Sequence, residues 1–204
     1  MDLARKNSPA DLVLASKSPR RRSLLEQVGF SVEILGVDLD ESPQPGEDAV
    51  RLARRLAAQK AEAAARSVVD RVVLAADTVV AVGDRLLGKP IDRSEAREML
   101  RELSGRWHEV VTGVAIRKPS RTLAVSHSLT RVRFANLSDE EIVRYSSGDE
   151  PYDKAGAYAL QGIAGWFIVE IAGSPTNVVG LPMEIVRVML LEAGVPLPHL
   201  GRKP

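Results

Sequence analysis

The densest apolar run in the chain spans 72–82: Val72-Val73-Leu74-Ala75-Ala76-Asp77-Thr78-Val79-Val80-Ala81-Val82. A run this rich in valine predicts a strand covered on both faces. Upstream, Leu12-Val13-Leu14-Ala15 predicts a short buried strand that turns at Ser16-Lys17-Ser18 into a helix reaching about Val28. Ser18 suits the N-cap, Pro19 the first helical position and Gly29 the stop. Residues 31–35 predict a second strand, and the acidic, proline-bearing stretch 37–46 a loop. Over 47–68, Ala53, Leu56, Ala57, Ala61, Ala64, Ala65 and Val68 recur at spacings of three and four, the signature of an amphipathic helix. Gly83-Asp84 marks a turn, 94–103 a helix, and 108–117 and 123–134 two strands joined at Lys118-Pro119-Ser120. Ser138 and Glu141 form a capping box for a helix to about Ser147. A strand at 166–171 and a helix at 181–193 complete the pattern. Strands alternating with helices, with one hairpin, predict a mixed α/β sheet flanked by helices. Residues 11–195 read as one domain, between a polar segment at 1–10 and a proline- and base-bearing tail at 196–204, both expected to be flexible.

Composition narrows the chemistry. The 204 residues carry 28 Lys and Arg against 27 Asp and Glu, a net charge of +1, so charge alone predicts neither a nucleic acid nor a membrane partner. There is no cysteine, which excludes disulfides, thiolate nucleophiles and sulfur-ligated zinc, and fits a reducing compartment. The three histidines, His108, His127 and His199, are scattered, so a bound metal is expected to be hard and oxygen-held, magnesium or manganese. Residues 1–9 have no apolar core of a leader, and no stretch reaches the ~20 apolar residues of a membrane helix, giving a cytoplasmic expectation.

Against that background a few polar residues stand out. Asp77 is the one carboxylate in the valine-rich run, where an ionised group costs several kcal/mol unless it is paired, hydrogen-bonded or metal-bound. It is either a strand-end Asp bonded to a neighbouring loop or a group kept for chemistry. Lys60 lies on the apolar stripe of its helix, three residues after Ala57 and four before Ala64, as a lysine whose stem is buried would. Ser16, Lys17, Ser18, Arg20, Arg21 and Arg22 cluster where a strand feeds a helix. Positive charge in a first turn opposes the helix dipole, and an anion such as phosphate resolves the conflict. Residues 83–89 match the G-x-x-x-x-G-K spacing, but Pro90 stands where a phosphate-binding loop needs a Ser or Thr, so that motif is rejected while Lys89 stays a candidate phosphate lysine. Asp38, Asp40 and Glu41 form either a solvated acidic loop or a source of magnesium ligands. Residues 150–162 mix aromatics, Gly156, Gly162 and Gln161 without helical periodicity, as a ligand loop or as a connection carrying an Asp153–Lys154 pair; the Gln161 amide suits reading a base edge.

Taken together, Ser16-Lys17-Ser18-Pro19-Arg20-Arg21, Lys60 within Ala57-Ala58-Gln59-Lys60-Ala61, Ala76-Asp77-Thr78, Gly88-Lys89-Pro90, residues 108–113 and 153–162 resemble the Maf family of nucleotide pyrophosphatases. The lead-in Asp153-Lys154-Ala155-Gly156-Ala157-Tyr158 with Gln161-Gly162 is similar to the subgroup acting on dTTP and UTP, although Ala159 stands where glycine is common. The resemblance implies an elongated fold of two lobes around a central cleft, recurrently a homodimer. It implies hydrolysis between the α and β phosphates with a divalent metal. It implies Asp77 as proton acceptor, Lys60 and Lys89 near the phosphates, Glu41 with Asp40 near the metal, and Arg20, Thr78 and Gln161 tuning base choice; Ser16, Ser18 and Arg21 are the phosphate-binding candidates that the strand-to-helix turn itself supplies. A second reading, a nucleotide-sensing regulator of cell division with incidental hydrolysis, has little support in the residues themselves.

Overall fold

The computed structural model describes residues 12–68, 70–120 and 122–198. The segments expected to be flexible, 1–10 and the tail beyond residue 198, lie outside them, as does His199. Seven strands, β1 (Leu12–Leu14), β2 (Val32–Ile34), β3 (Val73–Val82), β4 (Arg85–Leu87), β5 (Trp107–Arg117), β6 (Leu123–Phe134) and β7 (Ile168–Ala172), form one sheet in the order β2-β1-β3-β5-β6-β7, with β4 also paired to β3. The helices are α1 (Pro19–Gln27), α2 (Ala49–Ala65), α3 (Arg93–Leu103), α4 (Asp139–Ser146), α5 (Pro175–Val179) and α6 (Met183–Glu192). The expected mixed α/β architecture is what the chain adopts. β1 pairs in parallel with β2 and β3, and the other ladders are antiparallel. No helix among the described residues is long and apolar enough to cross a membrane.

One break in this sheet makes the site. β1 pairs with β3 only at Val73 and Leu74, and β4 pairs with the same edge only at Val80, Ala81 and Val82. Between them, residues 75–79 of β3 are paired to β5 alone. The gap opens beside Asp77 and Thr78.

The core sits on both faces of β3, as the valine run requires; every residue of the strand except Thr78 is buried. On one face, Ala53, Ala57, Ala61 and Ala64 of α2 lie against Val13, Val73, Ala75 and Val111. The alanines let the helix approach closely, and Gly113 of β5 completes the approach: a Cβ there would lie 2.2 Å from the Ala53 carbonyl oxygen. On the other face Leu12, Leu14, Leu74, Ala76, Val114 and Ile116 pack against α1 and α6 through Leu24, Leu25, Val186 and Leu190. Each buried leucine contributes ~1.5–3 kcal/mol.

Several boundaries differ from the sequence expectation. α2 begins at Ala49, because Asp48 caps it by accepting from the Arg51 N–H, at 2.8 Å. Ser18 holds the N-cap position of α1, but its side chain makes no capping bond; Ser16 Oγ instead accepts from the Ser18 N–H at 3.2 Å. The strand expected at 166–171 starts at Ile168, since Ile163–Phe167 forms a 3-10 turn. β4 and α5 were not expected from the sequence. The capping box of Ser138 and Glu141 is present.

Candidate active site

A cleft of about 320 Å³ occupies the break in the sheet. β3 supplies Asp77 and Thr78 to opposite faces of the strand, the turn after β1 supplies Ser16, Lys17 and Ser18, the first turn of α1 supplies Arg20 and Arg21, α2 supplies Lys60, and the segment after β4 supplies Lys89. Glu41 and Asp38 enter from the acidic loop, and Asp153, Lys154, Tyr158 and Gln161 from the segment before β7. Residues separated by more than a hundred positions thus meet around one space.

At its floor is an ion triad. Lys60 Nζ lies 2.5 Å from Asp77 Oδ1 and 2.5 Å from Glu41 Oε1. Asp77 and Lys60 are each 7% exposed, so the pair is desolvated and hydrogen-bonded rather than a solvated surface contact. Burial pushes the Asp77 carboxyl above its ordinary value, against the opposing charges of Lys60 and Arg21. For Glu41, partial burial acts upward, but the hydrogen bond and charge of Lys60 outweigh it and hold the carboxyl below its ordinary value. Lys89 Nζ stands 3.8 Å from Glu41 Oε2. The lysine on the apolar stripe of α2 therefore brings its ammonium to the strand carboxylate, so the partner of Asp77 comes from a helix and not from a neighbouring loop.

On the other face of β3, the Arg21 guanidinium is fixed on three sides. Nε donates to the Gly180 carbonyl at 2.8 Å, Nη1 to Ser16 Oγ at 3.0 Å and Nη2 to Thr78 Oγ1 at 3.0 Å. Burial lowers its proton affinity, with the Asp77 charge acting the other way. At the mouth, Arg20 meets Asp153 at 3.3 Å and Lys17 meets Asp38 at 2.7 Å. Asp153 is also paired with Lys154. Lys17, Arg20, Lys60, Lys89 and Lys154 thus each face a carboxylate with which an anionic ligand could compete, whereas Arg21 is held by neutral oxygens.

The 150–162 segment is braced by Glu150, whose carboxylate accepts from the Ile163 N–H at 2.8 Å, the Ala164 N–H at 3.2 Å and the Tyr145 hydroxyl at 3.0 Å. Gly162 makes room for that carboxylate, since a Cβ there would sit 2.3 Å from its Oε1. Gly162 and Gly156 do not line the cleft; they serve packing within the protein, not approach to a ligand. Tyr158 does line it, and its hydroxyl is 2.7 Å from His108 Nε2 within a cluster of edge-on rings. Gln161 is exposed on the rim.

Of the residues singled out from sequence, Asp77, Lys60, Lys89, Arg20, Thr78, Gln161, Ser16, Ser18, Arg21 and Glu41 share this one cleft. Asp40 does not. Its Oδ1 accepts from the Ser42 N–H at 2.9 Å, and it borders a separate hollow with Arg55 and Gln59. Turn formation at Asp40-Glu41-Ser42 sends the two neighbouring carboxylates in different directions, which counts against Asp40 as a metal ligand. Sequence reading gave no role to Thr112, Asn177 or Gly180. Thr112 and Asn177 are fully buried polar residues; for Thr112 the flanking Val110, Val111 and Val114 were a signal in the sequence, and Asn177, after Ser174-Pro175-Thr176, had none.

The carboxylates fit a hard cation. Asp77 and Glu41 each give one oxygen to Lys60 and keep a second, and magnesium commonly takes one or two carboxylates with water and substrate phosphate completing its shell. Among the described residues there is no group of three or more His, Asp or Glu that would hold an ion by protein alone.

Known proteins resemble the chain over most of its length. The chain is 50% identical over 192 residues to the dTTP/UTP pyrophosphatase of Chromobacterium violaceum, covering 92% of this chain and 96% of that one. It is 50% identical over 190 residues to the dTTP/UTP pyrophosphatase of Anaeromyxobacter dehalogenans strain 2CP-C, with coverage of 92% and 96%. The structure of the Staphylococcus aureus Ham1 protein shares the fold, with a TM-score of 0.52 at 16% identity, covering 89% of this chain and 98% of that one. A family model described as Maf-like protein matches residues 11–193, from β1 through the last helix and so across every element that feeds the cleft; the chain belongs to the Maf family.

Proposed function

We propose that the chain hydrolyses nucleoside triphosphates, dTTP and UTP foremost and with them modified pyrimidine nucleotides, at the α–β phosphoanhydride. The products are the nucleoside monophosphate and pyrophosphate, and the role is house-cleaning of the nucleotide pool. The observation that carries this reading is the buried Asp77 joined to Lys60 and Glu41 at the floor of a cleft with Arg21 and Lys89 around it. The names of relatives matching 92% of the chain support the choice of substrate.

Asp77 accepts a proton from the water whose oxygen bonds to phosphorus, and the bond to the bridging oxygen breaks as pyrophosphate departs. Its raised proton affinity makes it a better base than a solvated aspartate, and its place in mid-strand holds it to the tolerance that in-line attack needs. Phosphate oxygens compete with Glu41 and Asp77 for Lys60 and with Glu41 for Lys89, so the ammonium groups pass from protein carboxylates to substrate. Arg21, already held by Gly180, Ser16 and Thr78, adds positive charge with little reorganisation. Asp77 and Glu41 would hold a magnesium or manganese ion, which when bound neutralises charge developing on the phosphates. Arg20, Thr78 and Gln161, on the wall and rim of the cleft, select the base. The same reading carries a homodimer in the cytoplasm, in keeping with a chain that has no cysteine.

The test is product analysis by phosphorus NMR after incubation with magnesium and each of a panel of triphosphates. Monophosphate and pyrophosphate from dTTP and UTP are expected. Release of single phosphate, or nucleotide binding with no turnover on any member of the panel, would overturn the reading and favour a sensor.

A further inference from the structure

The buried polar chain behind Thr78 has a direction. Asn177 is wholly buried, and its Nδ2 donates to the Val110 carbonyl and to Thr130 Oγ1, both at 2.9 Å, which pins α5 to the sheet. Its backbone carbonyl can only accept, so Thr112 Oγ1, 3.1 Å away, must donate to it. A hydroxyl has one proton. Thr112 has spent its proton on Asn177, so in its 2.9 Å bond with Thr78 it must accept, and Thr78 must donate. Arg21 Nη2, which can only donate, takes one lone pair of Thr78 Oγ1. What Thr78 retains for the cleft is a lone pair and no proton.

We infer that Thr112, held by the Asn177 backbone, is a positioning residue for specificity: it makes the Thr78 hydroxyl an obligate acceptor toward the substrate. The inference rests on the pyrophosphatase reading above. An obligate acceptor gains nothing from phosphate oxygens, which are acceptors too. It favours a ligand N–H. Aimed at ring position 3, it meets an N–H in uracil and thymine but a bare acceptor nitrogen in cytosine, whose own N–H groups stand one position away on the 4-amino substituent. Thr78 thus marks the nucleoside end of the cleft and Lys60 the phosphate end. With Thr78 facing ring position 3, the preference for the two imide bases is set by a proton fixed two residues away from the ligand.

Thr112→Val keeps the shape of the side chain and removes the hydroxyl, freeing the Thr78 proton to point into the cleft. Thr112→Ser keeps the hydroxyl. The readout is the ratio of kcat/KM for UTP over CTP in each protein, with folding checked by circular dichroism. Wild type and Thr112→Ser are expected to share a high ratio, and Thr112→Val to lose roughly tenfold of it, mostly through KM, the size of one hydrogen bond. A folded Thr112→Val with the wild-type ratio, or a Thr112→Ser as relaxed as Thr112→Val, would overturn the inference and leave the hydrolysis reading standing. Wild type that releases no pyrophosphate from UTP would overturn both. If Thr112→Val does not fold, Thr112→Ala takes its place: a ratio relaxed in the alanine variant and retained in the serine variant supports the relay, and a ratio retained in both refutes it.

Discussion

Replacing Lys60 with methionine should destabilise the protein in a manner that depends on pH. The two side chains are similar in length, so the stem that packs among Ala57, Ala61 and Ala64 is preserved and the loss is electrostatic. Lys60 and Asp77 are each 7% exposed and share a 2.5 Å contact. Breaking such a pair from one side leaves a buried carboxylate with Arg21 as its remaining nearby cation, a change that typically costs ~3–5 kcal/mol. For a chain of this size that is roughly 6–20 °C in Tm. Burial already raises the Asp77 carboxyl above its ordinary value, and losing Lys60 raises it further. An acid whose folded proton affinity exceeds its unfolded one binds more protons when folded, so stability falls as pH rises through the raised value. The penalty in Lys60→Met should therefore be full above that value and shrink on acidification toward the unfolded value near 3.8. Urea unfolding of wild type, Lys60→Met, Asp77→Asn and the double mutant at pH 5 and pH 8 measures it. The double mutant should recover most of the lost stability at pH 8, because the orphaned charge is gone. Equal loss by Lys60→Met at both pH values, or additive losses in the double mutant, would refute the coupling.

Two further outcomes follow from the packing. His108 is buried between Phe134 and Tyr158, and burial lowers its ring to about 4 from 6.5. Its contribution is complete above 6.5 and lost as pH falls toward 4, on the order of 3 kcal/mol, so His108→Gln should flatten the loss of urea stability between pH 7 and 4 relative to wild type. Gly113→Ala would place its methyl 2.2 Å from the Ala53 carbonyl oxygen; forcing α2 off β5 displaces Lys60, so Tm and kcat should fall together, whereas an unchanged Tm would mean that the helix yields without cost.

The elements legible in the sequence were those with enough residues to show a period. The valine run of β3, the alanine stripe of α2 and the β5–β6 hairpin each extend over three or more turns or alternations. β4 is three residues long and α5 five, too short for either period, and β4 lay inside a stretch resembling a phosphate loop. The residues of the site were legible where chemistry clashed with context: a carboxylate in a buried strand, a lysine on an apolar stripe, arginines at a helix start. Asp40 and Glu41 were inseparable in sequence because both are acids in one loop; only the turn closed by Ser42 distinguishes them. Thr112 and Asn177 were passed over because threonine is at home in strands and asparagine in turns, and their importance lies in partners 65 and 67 positions away, Thr112 with Asn177 and Asn177 with Val110.

In the proposed reaction the Asp77 carboxylate removes the proton from the attacking water. Asp77→Asn keeps the shape and the burial while abolishing the base. Measured side by side with wild type on UTP and magnesium, the variant should bind nucleotide with little change by calorimetry while kcat for pyrophosphate release falls by ~10²–10⁴. A variant that binds UTP and releases pyrophosphate at the wild-type rate would mean that another group takes the proton.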